Sequence, residues 1–388
     1  MRIAYVITRL VRGGATKIAL DTARRMKGRG NEVFFGAGKD NTGSDSRWPE
    51  LEESGLNHKR LTHMKRAPGI HDIRSLIELT TWFQSIQPDL VHLHTSKAGT
   101  IGALAARLAG IPGVVYSSHG HLFHSDAKIE NVSLTGVSYF IYFWLRRFTL
   151  GIVDRAIALS RFDLQDQVRL GLAHESRFEV IPNGLDMEKV GDVYHGEECK
   201  RLRNELGLPE EKNVITSVGR LVREKGHREL LEAFARLNRE FPSTHLLIIG
   251  DGPERSYIED RIVELELAGK VSLPGIQSNV IEWLRCSDLF CFPSYYESQG
   301  MALMEAMAVG LPCVSTAEGG LKELVHHDQT AYQVSRGNVG ELVTAMKFLL
   351  KNEQEAKKLA EGGQKYVRSQ YSLDRVIERT ANCYERLR

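Results

Sequence analysis

At 388 residues the chain is too long for one ordinary hydrophobic core, so two domains are expected. Hydrophobic residues at 42% and charged residues at 26% exclude a disordered chain, and no stretch approaches the length of an uncharged membrane span. The net charge of +2 hides an asymmetry: residues 1–185 carry 24 Lys and Arg against 17 Asp and Glu, net +7, which leaves −5 for the rest.

In chain order, the first half opens with a buried-strand pattern at residues 3–8, then Gly13-Gly14, then an amphipathic helix over about 16–27. Further strands are predicted at 32–37, 90–94, 114–118, 156–160 and 178–181, with helices between most of them, for example 73–85 and 99–109. The pattern restarts at 213–219 and continues through 245–249, 270–273, 288–292, 313–315 and 331–334. Strands alternating with helices imply parallel βαβ units covered on both faces. The expected architecture is therefore α/β: two Rossmann-like doubly wound parallel-sheet domains facing across a cleft, with ligands at the C-terminal ends of the strands. Turn-forming Pro182-Asn183-Gly184 sets the boundary. The expected domains are residues 1–184 and 185–371. Residues 372–388 are expected to supply a last helix that packs back on the first domain.

The five cysteines are odd in number and include no CxxC pair, which points to a reducing compartment and no metal site. Residues 3–7 are too short an apolar run for a signal peptide, with Arg9 and Arg12 following at once. A cytoplasmic protein, soluble or attached to a membrane face, is expected.

Chemistry concentrates at predicted strand ends. In the second half, Glu297 ends a loop, Gly300 stands at the loop-to-helix junction before Met301 and Ala302, and Glu305 lies two turns into the helix. Free N–H groups at such a junction hold an anion, and the flanking carboxylates accept hydrogen bonds from hydroxyls. A phosphate carrying polyols, as in a nucleotide sugar, fits. Val218-Gly219-Arg220-Leu221 followed by Glu224-Lys225-Gly226 places two cations, Arg220 and Lys225, across one loop, suited to a diphosphate. Gly250, Gly275 and Gly319-Gly320 mark other strand ends where backbone can approach a ligand.

In the first half, Gly14 precedes a helix, and either a close approach to a ligand or a tight turn explains it. His94, Ser96 and Lys97 lie at a strand end and helix start, where His94 and Lys97 can hold an anionic acceptor, while His92 packs or caps the strand. His119 follows another strand end and is the candidate for touching substrate. With His121 and His124 it makes a histidine group lacking an acidic or cysteine partner at ligand spacing, so no metal is expected. The aromatic stretch over residues 139–148, with Arg146 and Arg147, fits either an anionic lipid surface or a core helix with basic ends.

These motifs together resemble the family 4 retaining glycosyltransferases of the GT-B fold, over nearly the whole length. The most specific portion runs from Pro293-Ser294-Tyr295-Tyr296-Glu297 through Glu305-Ala306-Met307-Ala308-Val309-Gly310-Leu311-Pro312, with Gly319-Gly320 and Glu323 beyond. The resemblance implies that Arg220 and Lys225 bind the donor diphosphate, Glu305 the ribose, and Glu297 the transferred sugar with N–H groups after Gly300. It also implies that His119 faces that sugar. His94-Thr95-Ser96-Lys97-Ala98-Gly99 is similar to a branch that builds bacterial surface polysaccharides and lipopolysaccharides, often on lipid-linked acceptors. The expected donor is a nucleotide sugar, most simply a UDP-sugar; the expected acceptor is a glycan or lipid-linked hydroxyl, with no cofactor, no metal and no nucleic-acid partner. Where the family often has Gly-Phe-Gly after the first glutamate, this chain has Ser298-Gln299-Gly300, a departure beside the sugar. A GT-B sugar-nucleotide epimerase and a non-catalytic GT-B glycan-binding subunit are the alternatives.

Overall fold

Two separate all-parallel sheets organise the chain, described over residues 1–11, 13–39, 46–119, 136–193, 196–209 and 213–387 of a computed structural model. Residues Met1–Gly184 with Asp374–Arg388 make one unit and Leu185–Leu373 the other.

The first unit holds seven strands: β1 (Arg2–Ile7), β2 (Glu32–Gly38), β3 (Asn57–Leu61), β4 (Leu90–His94), β5 (Gly113–Ser117), β6 (Arg155–Ala158) and β7 (Phe178–Val180). Their order is β3-β2-β1-β4-β5-β6-β7. β4 and β5 are buried along their whole length, the state that continuous Val, Leu and aromatic runs require when helices cover both faces. The helix Ser96–Leu108 packs close against these two strands. A Cβ on Gly99 would stand 2.4 Å from the Tyr116 ring, and one on Gly102 2.4 Å from Leu93. Gly99 is thus a packing residue. One strand escapes the sequence reading: β3, Asn57-His58-Lys59-Arg60-Leu61, is a polar edge strand with only Leu61 buried, so it carries no apolar run to detect.

The last helix, Leu373–Glu385, completes the core of this first unit. Tyr384 is fully buried, and its hydroxyl lies 3.0 Å from that of Tyr5 on β1.

The second unit holds β8 (Asn213–Val218), β9 (Thr244–Ile249), β10 (Val271–Gly275), β11 (Leu289–Phe292), β12 (Cys313–Thr316) and β13 (Tyr332–Val334), ordered β10-β9-β8-β11-β12-β13. Cys286, Cys291 and Cys313 are buried as small apolar side chains, and burial pushes their thiol pKa values up. In each sheet the strand order reverses once, between β1 and β4 and between β8 and β11. Those reversals open a crevice at the carboxyl ends of the neighbouring strands, where α/β sheets take their ligands.

Candidate active site

In the second unit, the loops after β8 and β11 are stitched together at such a reversal. The segment Arg223–Lys225 forms one turn of 3-10 helix, closed by Gly226 in the left-handed conformation (φ 70°). The Glu224 carbonyl accepts from Tyr295 N–H at 2.7 Å, and Ser294 Oγ lies 3.2 Å from it. These bonds bring the cation loop and the glutamate loop together, and the Lys225 ammonium pairs with the Glu297 carboxylate. Ser294 Oγ donates to the same carboxylate oxygen at 3.0 Å. Both charged side chains are mostly buried, at 17% and 14% exposure, so their attraction is less screened than a surface pair's.

Glu297 is also held through its main chain. Its carbonyl accepts from Gly320 N–H at 2.7 Å. A Cβ on Gly319 would meet that carbonyl at 2.4 Å, and one on Gly320 would meet the Ser298 carbonyl at 2.1 Å. The Gly319-Gly320 pair therefore lets two loops touch backbone to backbone.

Arg220 is exposed and stands 3.7 Å from Glu224, leaving its guanidinium at the surface of the same loop. Arg223 grips Glu229 through two bonds of 2.9 and 2.6 Å and reaches the Tyr295 hydroxyl at 3.0 Å, which braces the loop. His227, buried beside Lys225, is held neutral: burial first, then the nearby ammonium, lowers its pKa to about 4. Gly250 ends β9 with φ 143°, and a Cβ there would lie 1.9 Å from the Gly219 carbonyl, so it permits close approach of two strand ends. Gly275 ends β10, and its carbonyl accepts from Gly250 N–H at 3.0 Å.

Gly300 caps the helix Met301–Val309 in the left-handed conformation with no side-chain cap, so the first N–H groups, around Met301 and Ala302, keep no side-chain acceptor. Glu305 is half-buried on that helix. The departure at Ser298-Gln299 resolves unevenly. Gln299 is buried and its amide donates to Met304 Sδ at 3.1 Å, so it turns inward instead of lining a sugar, while Ser298 stays half-buried.

In the first unit, Gly14 begins the helix Gly14–Gly28, exposed and with open space where a Cβ would sit. At the other side of the reversal, β4 ends in the buried His94. His94 Nδ1 and His119 Nε2 are 2.7 Å apart and their rings stack. Burial lowers the pKa of both, that of His119 to about 4, so each is neutral near pH 7. His94 is thus uncharged near pH 7 and engaged with His119. Lys97 is likewise committed: its ammonium lies 2.6 Å from Asp72 and also binds the Ala67 carbonyl. Ser96 starts the helix next to it.

His92, expected to pack or cap the strand, bonds Tyr384 at 2.6 Å and Ser117 at 2.8 Å. Tyr384, Ser117 and Ser294 were not singled out from the sequence. Tyr384 meets a partner 292 positions away, which no local pattern signals. Ser294, three residues before Glu297, stood within the quoted motif and its spacing was the available clue. His121 and His124 lie outside the described residues. Among those described, no cluster of His, Cys, Asp or Glu is arranged to hold a metal.

The aromatic stretch, open to two readings, forms the helix Val137–Ile152. There Arg146 faces inward, over the Tyr116 ring and 2.6 Å from Gln167, so it cannot contact headgroups. The exposed apolar residues are Phe140, Ile141, Trp144, Leu145 and Phe148, with Arg147 exposed among them. Among the described residues no helix is long and apolar enough to cross a membrane.

Two sequence profiles match the chain. The one described as Glycosyltransferase Family 4 covers residues 12–189, and the one described as Glycosyl transferases group 1 covers 199–366. A UDP-Gal:alpha-D-GlcNAc-diphosphoundecaprenol alpha-1,3-galactosyltransferase of Escherichia coli is 31% identical over 280 residues, spanning 71% of this chain and 70% of the relative. The capsular polysaccharide biosynthesis glycosyltransferase CapM of Staphylococcus aureus is 26% identical over 325 residues, spanning 81% and 80%. Among solved structures, HepE of Anabaena in complex with UDP and glucose superposes with a TM-score of 0.83 at 21% identity, over 99% of each chain.

Proposed function

The chain belongs to the family 4 glycosyltransferases and has their GT-B fold, and from that premise we propose that it transfers a sugar from a UDP-sugar to a hydroxyl of a glycan or lipid-linked acceptor, with retention and without a metal. The observation that carries this reading is the Lys225–Glu297–Ser294 cluster at the β8/β11 reversal, with exposed Arg220 and the uncapped helix start at Gly300 beside it. Lys225, Arg220 and the N–H groups of Met301 and Ala302 take the diphosphate. Glu305 takes the ribose hydroxyls, Glu297 the sugar, Gly250 and Gly275 lie along the nucleotide, and Gly14 is a further donor-binding candidate.

The chemistry follows from those charges. The bond from the sugar's anomeric carbon to the β-phosphate oxygen breaks, and its electron pair stays on the diphosphate. The acceptor oxygen bonds that carbon from the same face, and its proton passes to the departing phosphate oxygen. Cations fixed where the negative charge grows supply the main catalytic term. They also do what a divalent cation would otherwise do.

The name of the Escherichia coli relative specifies UDP-Gal and a diphosphoundecaprenol-linked acceptor, and that of CapM specifies capsular polysaccharide. The first supports a UDP donor and a lipid-linked acceptor, the second a role in surface-polysaccharide synthesis, and the place we propose is the cytoplasmic face of a membrane. The exposed apolar stripe on Val137–Ile152 supports docking to that membrane, through rings and aliphatic groups and not through Arg146.

A panel of UDP-, GDP- and ADP-sugars tests the reading, by thermal stabilisation and by nucleotide release in EDTA. One UDP-sugar should raise the Tm and be slowly hydrolysed with the chelator present. Preference for another nucleotide would overturn the UDP donor, activity lost to EDTA would overturn metal independence, and no response to any donor would sink the transferase reading.

A further inference from the structure

We propose that Cys199 and Cys286 form a dithiol modification site. A low-molecular-weight disulfide oxidises the pair to a bridge that ties the helix Gly196–Glu205 to the start of β11, away from the donor loops.

The two cysteines are far apart in sequence, yet both belong to the second unit and their thiols are in hydrogen-bonding contact. The helix Gly196–Glu205 meets its neighbours through one face. Cys199 and Arg203 stand one turn apart on it, and Arg203 is buried. Arg203 Nε donates to the Cys286 carbonyl at 2.9 Å, and its Nη2 donates to the Asp288 carboxylate at 2.6 Å. Asp288 in turn accepts from Val214 N–H at 2.6 Å, so the helix is pinned where β8 and β11 begin. Its other side is open, with Glu197, Glu198, Arg201, Asn204 and Glu205 exposed. Nothing on that side opposes the shift of roughly 2 Å that takes two sulfurs from contact to a bond. Cys291 and Cys313 also lie on adjacent strands, but both are sealed in the core at 0% exposure, out of reach of an oxidant.

Unequal access sets the order of steps. Cys286 is fully buried, and burial, then the neighbouring Cys199, pushes its pKa up to about 12, so it does not attack first. Cys199 is half-buried and within reach of a small molecule. Its thiol gives a proton to solvent, and the thiolate attacks one sulfur of the small disulfide. That S–S bond breaks and one thiolate leaves, taking a proton from water. Cys286 then attacks Cys199 Sγ in the mixed disulfide, and its proton passes to the second thiolate that departs. Two protein thiols are oxidised to one disulfide while the small disulfide is reduced to two thiols.

Cys286 precedes β11, whereas Lys225 and Glu297 follow the carboxyl ends of β8 and β11. The bridge therefore acts on stability, by constraining the unfolded chain, and leaves the donor loops as they are.

The test incubates the whole protein with oxidised glutathione and counts free thiols after denaturation. The count should fall from five to three, with Cys199 and Cys286 joined in a non-reducing peptide map. Five remaining thiols, a glutathione retained on Cys199 of the wild type, or a bridge between other cysteines overturns the proposal. Cys286→Ser should stop at a single glutathione on Cys199. Cys199→Ser should keep its other thiols free, and glutathione on Cys286 in that variant would overturn the order of attack. The bridged protein should unfold roughly 4–16 °C above the reduced one, reversibly with dithiothreitol. An equal or lower Tm would overturn the tether. Nucleotide release from the best donor of the panel should be unchanged on oxidation, and a changed rate would overturn the separation from the donor loops.

Discussion

Lys225 and Glu297 illustrate how a residue can be legible in type and not in state. Both were identified as ligand-binding groups from strand-end position and charge, yet without a ligand they satisfy each other, with Ser294 completing the carboxylate. A mostly buried cation and anion held this way need little rearrangement when a diphosphate replaces one partner. Lys225→Ala should therefore lower turnover by about a hundredfold, the usual loss for one preorganised charge-bearing contact, while thermal unfolding stays near wild type. Unchanged turnover with the best donor would remove the diphosphate clamp. The internal partners of Lys97 and Arg146 were not legible, for a physical reason common to both. Those partners, Asp72 for one and Tyr116 with Gln167 for the other, come from segments 21 to 30 positions away, and composition cannot say which cation a fold will consume internally.

Elements were easier to read than their contacts, because a buried parallel strand announces itself as an apolar run. β4 was read to the residue, while polar β3 was missed. Loop-to-loop fit was not legible at all. Gly319-Gly320 looked like an approach to a ligand, whereas its first service is to let the β12 loop close on residues 297–299. Gly320→Ala would put a methyl group against backbone atoms of Ser298 and Gln299, and should cost roughly 1–3 kcal/mol and weaken donor binding together. Equal urea midpoints and equal donor KM would show that the loop yields freely. On the helix Val137–Ile152, Phe140 and Trp144 are 62% and 50% exposed and pack edge to face. Phe140→Ser with Trp144→Ser should leave the fold intact and reduce flotation with anionic liposomes by at least about tenfold, given roughly 1.5–3 kcal/mol for each apolar side chain buried. Undiminished flotation would remove the stripe from any membrane role.

Across the molecule, buried neutral histidines tie both units to pH. Burial lowers His92 to about 3 and His119 to about 4 in the first unit, and His227 to about 4 in the second. Unfolded, each would titrate near the ordinary value of about 6.5, so below that pH the unfolded chain binds more protons than the native one. Their stabilising share is whole above about pH 6.5 and is lost as pH falls toward the folded values. The Tm should hold from pH 8 to 7 and drop steadily between pH 6 and 4; a flat profile over that range would mean these rings protonate freely in the native state. The division of the chain adds a constraint on how the protein is made. Residues 374–388 belong to the first unit, and Tyr384 sits in its core against Tyr5 and His92. On the ribosome, the first unit to be synthesised must therefore wait for the last helix, while residues 185–373 emerge as one uninterrupted stretch. The order of completion is the reverse of the order of synthesis, so the histidine chain leading to His119 is assembled last.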